Sequence, residues 1–326
     1  MICHQFRGDK EGRPMRAIRV HEFGEDPQVD EIDPPNSPAR GELLVEVTAV
    51  GVGAWDLHVA EGRLAGILPS GDRPFTMGAE LCGRVRAVGV GVEGFAVGDR
   101  IMANPGIIGA WADRVLVRAS SCGRAPRSAS DAEAAATPVR GLTAFQALER
   151  LHPPAGSTLL IIGAGGAVGR AAVEMALGRR VHVIAVAGGE ELEPLLELGA
   201  EVAVDYRTEW KSRLEAAAPD GVETALDLVG GESLALGLDL VRDGGRVATT
   251  ISGADATEAP RDISIGLIAM RSTTSALGAI ADRIDAGDLS TRVLRTYPFE
   301  EVAVALDALR TRDRAPGQIV LSGRNG

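Results

Sequence analysis

Seven residues, Gly163-Ala-Gly-Gly-Ala-Val-Gly169, carry the densest chemical signal in the chain, with the apolar run Thr158 to Ile162 before them and the helix-prone Arg170 to Leu177 after them. Glycine after a buried strand permits a tight turn and lets the backbone approach a pyrophosphate. That anion then lies at a helix amino terminus, where unpaired N–H groups and the helix dipole favour it. The spacing is G-x-x-G-x-x-G rather than G-x-G-x-x-G. An ordinary strand-to-helix turn can also be rich in glycine, but a further apolar run at Val181 to Val186 completes a β-α-β pattern and favours a dinucleotide site.

An NAD-selective site carries an acid about 20 positions beyond the first glycine, where it holds both ribose hydroxyls. Here the second strand ends Ala185-Val-Ala-Gly-Gly189 with no acid at its tip, although Glu190 and Glu191 follow. The small tip leaves room for a 2′-phosphate, with Arg207 or Lys211 as counter-charge, so NADP is expected and NAD is the alternative.

Proton chemistry has fewer candidates. Asp56 and His58, in Trp55-Asp-Leu-His58, share one face if the segment is extended, and a histidine there could donate the proton that follows hydride addition. A lone loop histidine is more often simply solvated. Trp55 could pack on substrate or seal a barrel. For Arg140 a structural ion pair is the alternative to a place in the cleft. For Glu80 the expectation is a buried carboxylate paired with an arginine. Cys82 and Cys122 have no catalytic setting.

The elements that must position these residues fall into two groups. From Met15 to about Ala119 short strands alternate with glycine turns (Leu43 to Val50, Gly83 to Val90, Ala112 to Val117), which suggests a β-barrel or sandwich. From about Ala134 helix-like stretches (134–150, 168–178, 190–198) alternate with apolar strands (158–162, 181–186, 224–228, 245–251), the pattern of a doubly wound parallel sheet. Two amphipathic helices, 276–285 and 300–310, and a strand at 318–321 follow. The expected organisation is a disordered extension over 1–14, with Met15 as an alternative start. A barrel-like domain spans 15–135 and 276–326, and a dinucleotide-binding domain spans 136–275.

With 326 residues, two domains can each bury a core. The 34 basic and 45 acidic side chains leave a net charge of −11, a field that repels phosphate backbones and anionic lipid. Neither nucleic acid nor a membrane is an expected partner, and no apolar run approaches the ~20 residues of a membrane helix. Three scattered cysteines fit a reducing cytoplasm rather than a disulfide framework.

The chain resembles the medium-chain dehydrogenase/reductase superfamily, in its zinc-free quinone oxidoreductase (zeta-crystallin-like) branch. The matching segments run from Met15 to Leu321 and include Gly41-Glu-Leu-Leu-Val-Glu-Val, Gly78-Ala-Glu-Leu-Cys-Gly, Val97-Gly-Asp-Arg100, Gly141-Leu-Thr-Ala144, the 163–169 turn, Asp205-Tyr-Arg207, Leu226-Asp-Leu-Val-Gly-Gly231 and Gly317-Gln-Ile-Val-Leu321. The resemblance implies a GroES-like β domain, a Rossmann domain inserted before its last segment, and a nicotinamide in the cleft between them. It implies Thr143 at the nicotinamide end and Gly163, Gly165, Gly166, Ala167 and Val168 at the pyrophosphate. Tyr206 and Arg207 fall by the adenosine, Leu228, Val229, Gly230 and Ile251 under the cofactor, and Gly317 and Gln318 where the family has Gly-Lys. A homodimer through the edge of the Rossmann sheet is implied by the same analogy.

The departures are as specific. Zinc-using relatives place a cysteine where this chain has Gly53 and a histidine where it has Ala79, and a catalytic zinc takes about three protein ligands, so Glu80 alone cannot hold it. The family's Asn in a Gly-Val-Asn-Pro segment is absent from Gly51-Val-Gly-Ala54, and no tyrosine donor occurs in Gly62-Arg-Leu-Ala-Gly-Ile-Leu-Pro69. The expected function is zinc-independent, NADPH-dependent reduction of a small apolar quinone or α,β-unsaturated carbonyl compound, with Leu64, Ile67, Leu68, Ile107 and Ile108 as pocket lining. The alternatives are a dinucleotide-binding sensor or structural protein, and an alcohol dehydrogenase.

Overall fold

A computed structural model describes residues 13–68, 73–253, 262–311 and 317–323, so the extension expected over 1–14 lies almost wholly outside the described residues. The barrel half is built from β1 (Met15–Val20), β2 (Gln28–Ile32), β3 (Glu42–Val52), β4 (Phe75–Thr76), β5 (Leu81–Val88), β6 (Arg100–Ala103), β7 (Arg114–Arg118) and β8 (Cys122–Arg124), joined late in the chain by β15 (Val293–Pro298) and β16 (Gln318–Ser322). A three-stranded sheet runs β2-β1-β4. A seven-stranded sheet runs β15-β16-β3-β5-β6-β8, with β7 also on β3. Along β3, Leu43, Val45 and Val47 point inward while Glu42, Leu44 and Glu46 are half-buried, the period-2 pattern of a strand with one wet face. Beyond Val47 every residue of β3 is buried, because the alanines of α2 (Asp131–Ala135) pack with Ala49 and Cys82 on its other side.

The second half holds α3 (Pro138–Leu151), β9 (Thr158–Ile162), α4 (Ala167–Gly178), β10 (His182–Ala187), α5 (Leu192–Leu198), β11 (Val202–Asp205), α6 (Trp210–Ala217), β12 (Val222–Asp227), α7 (Gly231–Leu240), β13 (Val241–Thr249) and β14 (Ser264–Leu267). Its six strands are parallel in the order β11-β10-β9-β12-β13-β14, the doubly wound dinucleotide-fold order, with the reversal of direction between β9 and β12. The expected GroES-like and Rossmann architecture is therefore present. α8 (Thr274–Ala286) buries Leu277, Ile280 and Ile284 in one core with Leu142, Leu148 and Val173, while Phe299, Leu306 of α9 (Val302–Arg310) and Ile319 join the barrel core.

Two expected elements differ. The single helix over 134–150 is two helices. Ser130 caps α2 in a capping box with Glu133, and Pro138, which has no N–H to extend the helix, opens α3 at its first position. The Asp56–His58 segment, read as extended, is a short helix, α1 (Ala54–Ala60). Among the described residues no helix is long and apolar enough to cross a membrane.

Candidate active site

The carboxyl end of β9 turns at Gly163, whose φ of +86° favours glycine. The Gly163 and Ala164 amides donate to Val186 O at 3.0 and 2.9 Å, tying the turn to β10. A Cβ on Gly169 would stand 2.3 Å from Gly163 O, and one on Gly165 2.8 Å from Glu191 Cγ, so both positions require glycine for packing. Gly166 differs. Its φ is −72°, and a Cβ there would meet only Gly163 O at 3.5 Å, which leaves its outer side open where Ala167 and Val168 begin α4. A cradle of this shape, at a helix amino end beside the reversal point of a parallel sheet, fits a pyrophosphate.

The neighbouring wall is organised by Asp227, which is fully buried at the end of β12. Its Oδ1 accepts from the Val229 and Gly230 amides at 3.1 and 2.9 Å, and its Oδ2 accepts from the Thr249 hydroxyl at 2.8 Å. Thr249 Oγ1 in turn accepts from the Ile251 amide at 3.1 Å. The network brings Leu228, Val229, Gly230 and Ile251 together. Positions for a Cβ on Gly163 lie 3.0 Å from Val229 and 3.2 Å from Leu228, and one on Gly230 lies 3.0 Å from Ile251. Asp227 was not singled out from the sequence; its signal is an acid that closes the apolar run Ala225-Leu226 just before Leu-Val-Gly-Gly.

Beside the tip of β10, Tyr206 and Arg207 follow β11, and the Tyr206 amide donates to Ala187 O at 3.1 Å. The Arg207 guanidinium lies 5.3 Å from the Tyr206 ring centre and pairs with Glu190. Lys211, the other expected counter-charge, pairs with Asp239 across α6 and α7 at 2.7 Å.

The floor between the two halves is polar and buried. α3 runs back along the sheet, so its amino end sits at the same edge as the glycine turn. There Glu80 Oε2 accepts from the Val139 amide at 2.7 Å, and the Thr143 hydroxyl donates to Val139 O at 2.7 Å. Glu80 is not paired with an arginine as expected: the neighbouring Arg140 guanidinium donates instead to Ala136 O and Ser290 O, at 3.1 and 2.7 Å. Burial pushes the Glu80 carboxyl up to about 8, and the nearby Asp56 charge adds to the effect. Asp56 Oδ2 accepts from the Gly53 amide at 2.9 Å, while Oδ1 is buried with no hydrogen-bond partner. Desolvation outweighs those backbone bonds and raises the Asp56 carboxyl to about 7.

His58 does not share a face with Asp56, because two residues apart on a helix point to different sides. Its own burial holds it below the ordinary histidine range, so at neutral pH it is an uncharged imidazole. Trp55 Nε1 donates to Ile107 O at 2.9 Å and its ring packs on the barrel core, a sealing role. Of the apolar lining candidates, Leu64, Leu68 and Ile108 pack against that core and Ile67 is 58% exposed. Gln318 opens β16 with its amide on Arg292 O at 2.8 Å, and the pairing of Ile319 with Val52 sets Gln318 and Gly317 beside Gly53. Cys82 and Cys122 are buried free thiols, pushed up to about 12 by desolvation.

The geometry agrees with known proteins. The alcohol dehydrogenase GroES-like domain family matches residues 39–131, and the zinc-binding dehydrogenase family matches residues 198–321. The chain is 29% identical to the quinone oxidoreductase of Lama guanicoe, with 95% of this chain and 98% of that protein covered. It is 28% identical to the Homo sapiens quinone oxidoreductase, covering 94% and 97%. An alcohol dehydrogenase superfamily protein from Novosphingobium aromaticivorans superposes with a TM-score of 0.85 at 26% identity, over 95% of this chain and 100% of that one. The chain thus belongs to the quinone oxidoreductase branch of the medium-chain dehydrogenase/reductase superfamily, and is an oxidoreductase of the nicotinamide-dinucleotide-using kind.

Proposed function

We propose that this protein is a zinc-independent, NADPH-dependent reductase of small apolar quinones or α,β-unsaturated carbonyl compounds, acting as a homodimer through the edge of the Rossmann sheet. The observation that carries the reading is the 163–169 cradle, closed by packing at Gly165 and Gly169 and open at Gly166, in a chain alignable almost end to end with quinone oxidoreductases.

When bound, the nicotinamide supplies a hydride from C4. The chain's part is to bind, orient and exclude water. The glycine turn takes the pyrophosphate, Tyr206 and Arg207 the adenosine end, and Leu228 to Gly230 with Ile251 the underside of the groove. Thr143, whose hydroxyl is held by Val139 O, and Gln318 and Gly317 border the nicotinamide end. Zinc independence is supported by Gly53 and Ala79, which offer no ligand atoms on side chains, and by the lack of any group of three metal-ligating side chains among the described residues. Quinones and enones suit such a site because they need a hydride and then a proton, whereas oxidising a plain alcohol requires a metal or base to remove one. Solvent supplies that proton in the simplest case. Asp56, whose carboxyl burial raises to about 7, is a better acid there than His58, which burial lowers.

Steady-state assays with NADPH and a panel of quinones, enones and simple alcohols test the reading. Reduction of quinones or enones with little alcohol oxidation supports it. Robust ethanol or benzyl alcohol oxidation beside inert quinones and enones overturns it, and cofactor binding without turnover of any of them points to a sensor.

A further inference from the structure

We propose that Glu190 occupies the phosphate-binding fork of Arg207 until the cofactor arrives, and so sets how strongly the protein discriminates NADPH from NADH. The inference rests on the NADPH reading above and adds a residue to it.

Two arginine nitrogens meet two carboxylate oxygens: Arg207 Nη1 to Glu190 Oε2 at 3.1 Å and Nη2 to Oε1 at 3.2 Å. This parallel pair uses the planar fork that a guanidinium offers equally well to a phosphate. The fork is aimed across the strand tip. Nη2 lies 2.9 Å from where a Cβ on Gly188 would stand, and Asp205 Oδ2 lies 2.7 Å from the corresponding point on Gly189, so the two glycines clear the space that these side chains cross. Asp205 Oδ1 accepts from the Arg207 amide at 2.9 Å, and the Tyr206 ring backs the guanidinium at 5.3 Å, which together hold the arginine at this tip. In a doubly wound fold the second strand's tip is where the adenosine ribose, and any 2′-phosphate on it, is read.

Two features make Glu190 a displaceable occupant rather than a fixed part of the fold. Arg207 and Glu190 keep 40% and 35% of their side-chain surface in solvent, and ion pairs so exposed are weak. Glu191 shows the contrast: it pairs with Arg170 at 3.1 Å with only 16% of its side chain exposed, and its Cγ packs over Gly165. A 2′-phosphate carries more charge than one carboxylate and can take the fork from Glu190, whereas NADH brings nothing to compete for it. That competition lowers NADPH affinity below what Arg207 alone would give.

The test is a double-mutant cycle on the full chain, with dissociation constants for NADPH, NADH and the probe adenosine 2′-phosphate measured by calorimetry at low salt. Glu190→Gln should tighten NADPH and adenosine 2′-phosphate about three- to fivefold and change NADH by less than about twofold. In an Arg207→Ala background the same substitution should give no gain. Equal melting temperatures across the four proteins check the fold. The proposal is overturned if Glu190→Gln weakens NADH about fivefold or more, because the carboxylate then holds the ribose hydroxyls, or if the NADPH gain is absent or persists without Arg207. A wild type that prefers NADH while the Glu190–Arg207 coupling still appears would sink the NADPH reading and leave this inference standing.

Discussion

Glu80 in the barrel accepts a hydrogen bond of 2.7 Å from the amide of Val139 at the start of α3. The same Val139 residue takes the Thr143 hydroxyl on its carbonyl, so the barrel and the first turns of α3 meet through one backbone unit. The glycine at 51 belongs to this joint, since a Cβ there would stand 2.1 Å from Glu80 Oε1. A carboxyl so enclosed, with Asp56 close enough to add repulsion, is easier to bury neutral than charged.

That choice has a pH signature. The folded values of Glu80 and Asp56 are raised to about 8 and about 7, from ordinary values of 4.5 and 3.8. The folded state therefore holds protons that the unfolded chain has released, and this contribution to stability is full below the unfolded values and lost as pH rises through the folded ones. Asp285, held down to about 2 by the Ser128 amide and Arg124, has the opposite sign but titrates below the window. Urea midpoints should fall between pH 5 and 9, and Glu80→Gln or Asp56→Asn should flatten that fall. Slopes identical to wild type would mean the two carboxyls are charged in the fold.

The glycine turn separates packing from binding. Gly166→Val adds a side chain on the open side, so the melting temperature should hold while cofactor affinity drops about tenfold or more. Gly169→Ala meets backbone atoms at 2.3 and 2.6 Å and should destabilise the Rossmann half by about 2 kcal/mol or more. Thermal melts beside calorimetric titration of NADPH check both, and the idea fails if the two substitutions behave alike.

Much of this arrangement was legible in the residues because local and global signals agree there. The turn at 163–169, the strand at 158–162 and the parallel alternation after it combine apolar runs with glycine punctuation, and β9 spans the expected residues. The misreadings have physical causes. α1 is seven residues long, begins after a glycine and is held by Asp56 reaching back to the Gly53 amide, a local capping bond in a helix too short for its period to show. Glu80 was matched to the wrong partner because its acceptor role is filled by a backbone amide, which every residue but proline possesses and no sequence pattern marks. Long-range proximity, such as Glu190 to Arg207, is equally silent in the sequence.

Arg180 carries strain that can be removed. It follows α4 with φ of 60°, its amide bonded to Leu177 O at 2.8 Å and the Val181 amide to Ala176 O at 3.1 Å, a helix-ending motif that normally uses glycine. Arg180→Gly should stabilise the protein by about 1 kcal/mol, read as a higher urea midpoint. A lower midpoint would show that the arginine side chain contributes more than its backbone costs.

The last prediction concerns the proton. Enone reduction requires protonation of a carbon or an enolate oxygen after hydride arrives, whereas a reduced quinone is protonated readily by water. If the buried, unpartnered Oδ1 of Asp56 supplies the enone proton, the reaction needs the neutral acid, which is the dominant form below about pH 7. The enone kcat/KM should then fall with rising pH around 7, and Asp56→Asn should lower it about thirtyfold or more while quinone reduction changes by less than about threefold. His58→Ala should be mild for both substrates, because burial lowers that imidazole and leaves it a poor acid at neutral pH. Steady-state profiles from pH 5.5 to 9 decide among the sources. An Asp56→Asn enzyme with the wild-type enone profile leaves solvent as the donor, and a loss beyond about a hundredfold in His58→Ala makes the histidine the acid instead.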